Sequence, residues 1–274
     1  MHRIGAALGM AVYWASSSYR RHLQAHARLA GVPVPLVGSA ARHAGRMVAE
    51  LPWLWARPPG TPLGWRLQWE NPARLEAALA SGRGVLLLSP HIGCFEVVAQ
   101  SFAERYGATR PMTALYRPAR KAVLRELVAQ SRNRPGLVTA PASLAGVRQM
   151  IRALRKGEAV GVLPDQVPPE GQGTWVPFFG RPAYTMTLVG RLARQTGCEV
   201  LLLWCERQPN GRGYVIRVQE PPAPWPDTDD PEAWARAVNG AMEFIIRQAP
   251  AQYLWGYNRY KQPRAQPAAT ENNT

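Results

Sequence analysis

The sequence predicts an α/β fold with a central, largely parallel or mixed sheet flanked by helices. Uninterrupted apolar runs at 85–88 and 159–163 are typical of strands buried on both faces. Between them, residues 142–156 repeat apolar side chains at helical spacing. Because strands and helices alternate along 274 residues without an internal repeat, we expect one large domain with a parallel sheet.

Composition divides the chain into three parts. Residues 1–50 are predicted to form a helical region, residues 51–262 the main α/β domain, and residues 263–274 a flexible tail without an apolar pattern. The mostly apolar run at 4–15, followed by the Arg20-Arg21 pair, is shorter than the roughly 20 residues needed to cross a bilayer. It is either a helix packed on the domain or an interfacial membrane helix with basic flanks.

The remaining elements are predicted from periodicity, caps and turns. In order they are a connecting or membrane-facing loop at 51–63, strand 85–88, a helix through Phe95 and Phe102, strand 112–116, helix 119–133, helix 142–156, strand 159–163, a Pro- and Gly-rich loop at 167–181, helix 185–195, strands 199–205 and 214–218, and a last helix ending before Pro250. Asn210-Gly211 is typical of a hairpin turn, and Asp230 before Pro231 is typical of a helix start.

The charge balance indicates an anionic partner. Lys and Arg number 33 against 18 Asp and Glu, a net charge of +15 that suits nucleic acid, anionic lipid or an acidic protein. Arg-, Ala-, Gly- and Pro-rich usage also fits a GC-rich genome, which would raise the charge without any partner. No helix-turn-helix or RNA-binding signature accompanies the charge, so no nucleic acid is expected. Ten Trp favour a membrane interface or lipid pocket.

The strongest local signal is the segment SPHIGCFE at 89–96, directly after a buried strand. Loops at strand ends commonly carry the chemistry of α/β sheets. If a helix starts here, the Glu96 carboxylate can reach one ring nitrogen of His91, and the other nitrogen can then take a proton from a hydroxyl. The alternative is a surface ion pair near a helix start.

Two other chemistries can be built from the same segment. His91, Cys94 and Glu96 are possible metal ligands, but the other four His all lie in the N-terminal region and no second cluster accompanies them. Cys94 as a nucleophile is disfavoured because its apolar neighbours do not lower a thiol pKa. The three cysteines show no CxxC spacing, so no disulfide framework is expected and a reducing cytoplasmic setting fits.

A second signal follows strand 159–163. Asp165 stands at the end of that strand, where sites form. Phe178 and Phe179 further along supply apolar bulk suited to an acyl chain, and the alternative is that they pack on the core.

A third signal is a set of arginines around the predicted helix 119–133. Arg117, Arg132 and Arg134 flank that helix. A guanidinium near a reacting carbonyl stabilises an oxyanion or binds a phosphate. The alternative is a solvated basic face.

The order of these signals resembles the lipid A biosynthesis acyltransferases, the lauroyl- and myristoyltransferase group within the lysophospholipid and glycerolipid acyltransferase superfamily. The resemblance covers about residues 35–262. In chain order, the matching motifs are HxxxxE at 91–96, Tyr-Arg-Pro at 116–118, Arg-x-Arg at 132–134, LRKGE at 154–158, Pro-Asp at 164–165, VPFFG at 176–180 and QYxW at 252–255 with Arg259. Glu96 favours the lipid A branch, since the wider superfamily more often has Asp there.

The resemblance implies a glycerolipid-acyltransferase-like fold and an acyltransferase domain at 51–262. His91 would be the general base, Glu96 its orienting carboxylate, and Arg132 and Asp165 the rest of the catalytic set. The expected substrate-binding residues are Arg117, Arg134, Gln166, Phe178 and Phe179. No metal and no cofactor are implied.

The implied partners are an acyl carrier protein thioester as donor and an anionic lipid acceptor, a hydroxyl of a lipid A precursor. The expected location is the cytoplasmic face of the bacterial inner membrane, peripheral or shallowly anchored at the membrane surface. Because the 168–171 loop differs from the family's usual loop, another glycolipid, a glycerolipid or an ornithine lipid stays open as acceptor. A non-enzymatic lipid-binding protein is the further alternative, and it predicts that His91 and Glu96 lie apart.

Overall fold

The computed structural model of the protein describes residues 1–58, 60–64, 66–116 and 134–265. Within these residues the main sheet has seven strands, which are β1 (Leu67–Glu70), β2 (Val85–Leu88), β3 (Met112–Tyr116), β4 (Leu137–Pro141), β5 (Ala159–Val162), β8 (Glu199–Arg207) and β9 (Tyr214–Gln219). Their order is β1-β9-β8-β2-β5-β3-β4, and within it β8 and β9 pair antiparallel while the other neighbours pair parallel. The predicted α/β fold with a largely parallel sheet is therefore confirmed.

Helices cover both faces of this sheet. Those described are α1 (His2–Ala15), α2 (Ser17–Leu29), α3 (Val34–Ala56), α4 (Pro72–Ala80), α5 (Phe95–Tyr106), α6 (Leu144–Arg155), α7 (Leu188–Thr196) and α8 (Pro231–Gln248). Side chains alternate between the faces of a strand, so Leu86 and Leu88 of β2 enter the core beneath α6, α7 and α8. Val85 and Leu87 enter a second core beneath α4 and α5. The apolar run of β2 is thus explained by burial on both sides.

Several predicted elements are confirmed with their causes. The strand at 85–88 has the predicted bounds, and the strand pair around Asn210-Gly211 is antiparallel. Helix α8 begins at Pro231, where the Asp230 carboxylate accepts hydrogen bonds from the main-chain N–H groups of Glu232 and Ala233.

Other expectations were wrong. The predicted loop at 51–63 is helical up to Ala56, because α3 continues through Pro52 and buries Leu54 completely. Half of the predicted loop at 167–181 is a hairpin of β6 (Gly173–Phe178) and β7 (Arg181–Met186). In both places tertiary packing outweighs the local preference of proline and glycine. The predicted helix at 119–133 lies outside the described residues, as does the tail from 266 onwards.

The N-terminal helices pack closely on one another. A Cβ on Gly9 would lie 2.1 Å from the Ala41 carbonyl oxygen, and one on Gly45 would lie 2.0 Å from the Gly5 oxygen. Glycine at these positions lets the α1 and α3 backbones touch. In the described part of the chain, no helix combines the length and the apolarity that crossing a bilayer requires.

Candidate active site

His91 lies in a short loop between β2 and α5, at the carboxyl end of a central strand. The loop is held by main-chain hydrogen bonds from Leu254 N–H to the His91 oxygen (3.2 Å) and from Gly93 N–H to the Gln252 oxygen (3.1 Å). Gly93 has a φ of 59°, and a Cβ there would lie 1.8 Å from the Cys205 carbonyl oxygen. The loop therefore follows one path against β8, and glycine is required on it.

Asp165 binds His91 twice. One carboxylate oxygen accepts from the His91 ring Nδ1 at 2.7 Å, and the other accepts from the His91 main-chain N–H at 2.9 Å. Asp165 follows β5, which pairs in parallel with β2, so both residues emerge at the same edge of the sheet. The Asp165 side chain is 2% exposed, so its contact with His91 is shielded from water.

The surroundings keep Asp165 ionised. Burial alone would raise the pKa of this carboxyl, but the charge of His91 and the two His91 hydrogen bonds outweigh it, with a smaller contribution from Arg259. The net result is a pKa below the usual value for Asp. Tyr253, which also contacts Asp165, has its phenol pKa raised well above the usual value by burial and by the carboxylate charge.

The second ring nitrogen of His91 faces a neutral amide. Gln166 Nε2 lies 3.1 Å from His91 Nε2. A carboxylate on Nδ1 favours the tautomer with its proton there, which leaves the Nε2 lone pair to accept from the amide. The His91 side chain is 17% exposed, and Gln166 is the described residue that faces its Nε2.

Asp165, rather than Glu96, is the carboxylate on His91. The hydrogen-bond partners of the His91 ring among the described residues are Asp165 and Gln166. Glu96 is buried in the first turn of α5, where the helix dipole favours a negative charge. The orienting contact expected of Glu96 is thus made by a residue 74 positions away from His91. Spacing along the chain did not reveal it because the neighbour of β2 in the sheet is β5.

The arginines are only partly described. Arg134 donates to the carbonyl oxygens of Leu54 (2.9 Å) and Arg57 (2.7 Å) at the end of α3. These contacts close the carboxyl end of that helix, where main-chain oxygens lack helical partners. Arg117 and Arg132 lie outside the described residues.

Phe178 and Phe179 lie in the hydrophobic core. They are 1% and 7% exposed, with ring centroids 4.8 Å apart, and Phe179 also contacts Trp255. The two rings therefore pack on the core, which is the alternative to an acyl-chain contact.

The alternative chemistries at Cys94 find no support. Cys94 is completely buried, and burial raises its thiol pKa well above the usual value, so a thiolate nucleophile is disfavoured. In the described ranges, no three His, Cys, Asp or Glu side chains group closely enough to bind a metal ion.

Two residues that were not predicted to be site residues contact the His91 loop. Arg207 donates to the Gly93 carbonyl oxygen at 3.0 Å, and Gln252 accepts from Gly93 N–H. Arg207 ends β8, the other neighbour of β2, so a correct strand order would have identified it.

The Asp165 carboxylate gives a pH-dependent contribution to stability. The pKa of Asp165 is lower in the folded protein than its ordinary value of 3.8. Its contribution to the free energy of unfolding is therefore complete above pH 3.8 and is lost as the pH falls through the folded pKa. We expect Asp165→Asn to lower the unfolding free energy by about 1–3 kcal/mol at neutral pH. We expect the difference from wild type to shrink as the pH falls below the ordinary value of 3.8 and through the lowered folded pKa.

Urea unfolding across this pH range is the measurement. Asp229→Asn is the control, because that carboxylate is 85% exposed beside Arg194 and should change stability little at any pH. If the loss of unfolding free energy in Asp165→Asn stays constant down to the lowest pH measured, Asp165 is not ionised in the folded protein.

The chain matches known proteins over most of its length. The family of bacterial lipid A biosynthesis acyltransferases matches residues 28–262. The lipid A biosynthesis lauroyltransferase of Escherichia coli is 32% identical over 183 residues, which are 66% of this chain and 58% of that protein. The palmitoleoyltransferase of the same organism is 28% identical over 227 residues, 82% of this chain and 71% of that protein.

A Haemophilus influenzae lipid A biosynthesis acyltransferase is 29% identical over 181 residues, 66% of this chain and 55% of that relative. The chain thus spans 55% to 71% of the length of these three relatives. Since the match at 28–262 includes the strands that carry His91 and Asp165, the chain belongs to the bacterial lipid A biosynthesis acyltransferase family.

Proposed function

We propose that this protein transfers a fatty acyl chain from an acyl carrier protein thioester to a hydroxyl of a lipid A precursor, with His91 as general base. The observation that supports this is the buried Asp165 carboxylate on His91 Nδ1, which keeps the proton on Nδ1 and leaves the Nε2 lone pair to act as the base. No nucleophile from the protein is needed, because the attacking oxygen belongs to the acceptor.

The transfer proceeds in two proton steps. His91 Nε2 takes the proton of the acceptor hydroxyl while the hydroxyl oxygen forms a bond to the thioester carbonyl carbon. The carbon–sulfur bond then breaks, and the leaving sulfur takes the proton back from the His91 imidazolium. Asp165 stays ionised throughout and stabilises that imidazolium.

The other predicted site residues complete the proposal. Glu96 adds a second carboxylate near the loop, and Arg132 stabilises the oxyanion. Gln166 turns from His91 to the bound acceptor. A substrate contact is assigned to Arg117, whereas the buried side chains of Arg134, Phe178 and Phe179 are assigned structural roles.

Removing the base tests the reaction class. We expect His91→Ala to lower the rate of acyl transfer by about 10²–10⁴-fold, because general base catalysis is lost. The assay uses acyl carrier protein thioesters of several chain lengths with a lipid A precursor, read by product mass.

His22→Ala, on α2, is the control for this assay and should retain wild-type transfer. Undiminished transfer by folded His91→Ala would refute the mechanism. Folded wild-type protein that binds the lipid without forming product would favour a lipid-binding protein instead.

The exposed face of α6 supports the choice of donor. Arg148, Arg152, Arg155 and Lys156 are exposed, and the three arginines share one face at helical spacing. None of these four makes an ion pair with any described residue, whereas surface arginines elsewhere, such as Arg236, do. Unpaired positive charge suits an acidic protein, and α6 leads into β5, the strand before Asp165.

Charge reversal on α6 tests this docking face. We expect Arg152→Glu with Arg155→Glu to raise KM for the acyl carrier protein donor by about tenfold, because attraction becomes repulsion. KM for a small acyl thioester should stay unchanged. Arg236→Glu on α8 is the matched control, and equal effects on both donors would contradict docking at α6.

The N-terminal helices support a place on the cytoplasmic face of the inner membrane. Ile4, Leu8 and Val12 are 66%, 57% and 51% exposed at helical spacing on α1, while Gly5 and Gly9 of the same helix pack on α3. Residues 1–49 contain six Arg and no Asp or Glu. An exposed apolar stripe among positive charges fits the surface of an anionic bilayer.

Vesicle binding tests this face. We expect Leu8→Glu with Val12→Glu to weaken co-sedimentation with phosphatidylglycerol vesicles about tenfold or more, because two apolar side chains that would enter the bilayer become charged. Leu144→Glu, at a leucine on α6 that is 75% exposed, should bind as wild type does. Unchanged binding by the double variant would place the membrane contact elsewhere.

A further inference from the structure

A buried ion pair lies behind the His91 loop. Arg207 donates from Nε and Nη2 to the two carboxylate oxygens of Glu50, both at 2.5 Å. The side chains of Arg207 and Glu50 are 2% and 0% exposed. Glu50 belongs to α3 and Arg207 ends β8, so the pair joins the N-terminal helices to the central sheet.

Neighbouring polar groups keep this pair charged. Tyr214 donates its hydroxyl to Glu50 at 3.0 Å, and His2 Nε2 lies 2.8 Å from the same oxygen. Burial would raise the pKa of Glu50, but the hydrogen bonds and the charge of Arg207 outweigh it and lower the pKa to about 2. Burial and the Arg207 charge lower the pKa of His43, beside Arg207, to about 3. His43 therefore adds no second positive charge.

Arg207 also contacts the His91 loop directly. Its Nη2 donates to the Gly93 carbonyl oxygen at 3.0 Å. The Gln252 side chain accepts from Arg207 N–H at 2.9 Å and donates to the Arg207 oxygen at 3.0 Å, while its main-chain oxygen accepts from Gly93 N–H. Arg207, Gln252 and Gly93 thus form a closed ring of hydrogen bonds two residues from His91.

The geometry requires a guanidinium. Two of its nitrogens bind Glu50, and one of these also binds Gly93, which uses the planar fork of arginine. An ammonium group at this position would keep the charge but could not make all three contacts. A buried ion pair adds little net stability over packed apolar side chains, so stability alone does not account for it.

We propose that Arg207, aligned by Glu50, is a positioning residue that fixes the His91 loop in the geometry for proton transfer. This inference rests on the proposed acyl transfer, because it assigns Arg207 to the same reaction. Arg207 does not touch the reacting atoms and acts through Gly93. Since small displacements of a catalytic group lower rates strongly, loosening this loop lowers kcat more than substrate binding.

Three variants test the positioning role. Arg207→Lys keeps the charge and loses the fork, and Glu50→Leu with Arg207→Met replaces the whole pair by apolar side chains. Gln252→Met keeps the pair and removes the side-chain contacts of the ring. Arg217→Lys, paired with Glu206 on neighbouring β9, is the matched control.

We expect each test variant, corrected for its folded fraction, to lose about 10- to 100-fold in kcat with KM for the donor changed less than about threefold. Hydrogen exchange of the peptide covering 89–96 should become at least fivefold faster than in Arg217→Lys, with the sheet strands unchanged. A purely structural role would instead lower the melting temperature and leave kcat of the folded protein at the wild-type level.

Two results would overturn the proposal. One is a folded Glu50→Leu/Arg207→Met protein with wild-type kcat, and the other is unchanged exchange at 89–96 in every test variant. The exchange measurement needs no turnover. Faster exchange at 89–96 in a protein that transfers no acyl chain would therefore reject the proposed function. It would still support the inference that Arg207 holds the His91 loop in place.

Discussion

The contact between Asp165 and His91 is the constraint on which the rest of the site depends. A buried carboxylate is stable only when hydrogen bonds compensate for lost water, and His91 donates two of them, through its ring Nδ1 and its main-chain N–H. The contact exists because β2 and β5 are parallel neighbours whose carboxyl ends meet. A shift of either strand by one residue would move one partner out of reach.

The loop that carries His91 is held by contacts at two positions, His91 and Gly93. Asp165 binds His91, while Gln252 and Arg207 bind Gly93 two residues further along the loop. The charges involved are buried and paired. On α6 the charges are exposed and, within the described ranges, unpaired. Inside the protein, charge therefore sets geometry, and on the surface it remains available to partners.

Elements with strong local signals were predictable from the sequence. The run at 85–88 and the Asp230-Pro231 helix start appear at the predicted bounds, since apolar burial and capping act over few residues. His91 and Asp165 were both predicted to be site residues, and the structure brings them together. Their pairing was not, because it depends on strand order, and Glu96 was assigned the contact that Asp165 makes. The continuation of α3 through Pro52 was not predicted for a similar reason, since burial of Leu54 is decided by packing.

The most direct test of this account is the proton position on His91, measured by NMR with nitrogen-15-labelled histidine. Wild type and Glu96→Gln should both show neutral His91 protonated at Nδ1, because Asp165 accepts that proton. Asp165→Asn should move the proton to Nε2. If Glu96→Gln shifts the proton and Asp165→Asn leaves it in place, Asp165 is not the carboxylate that orients the base.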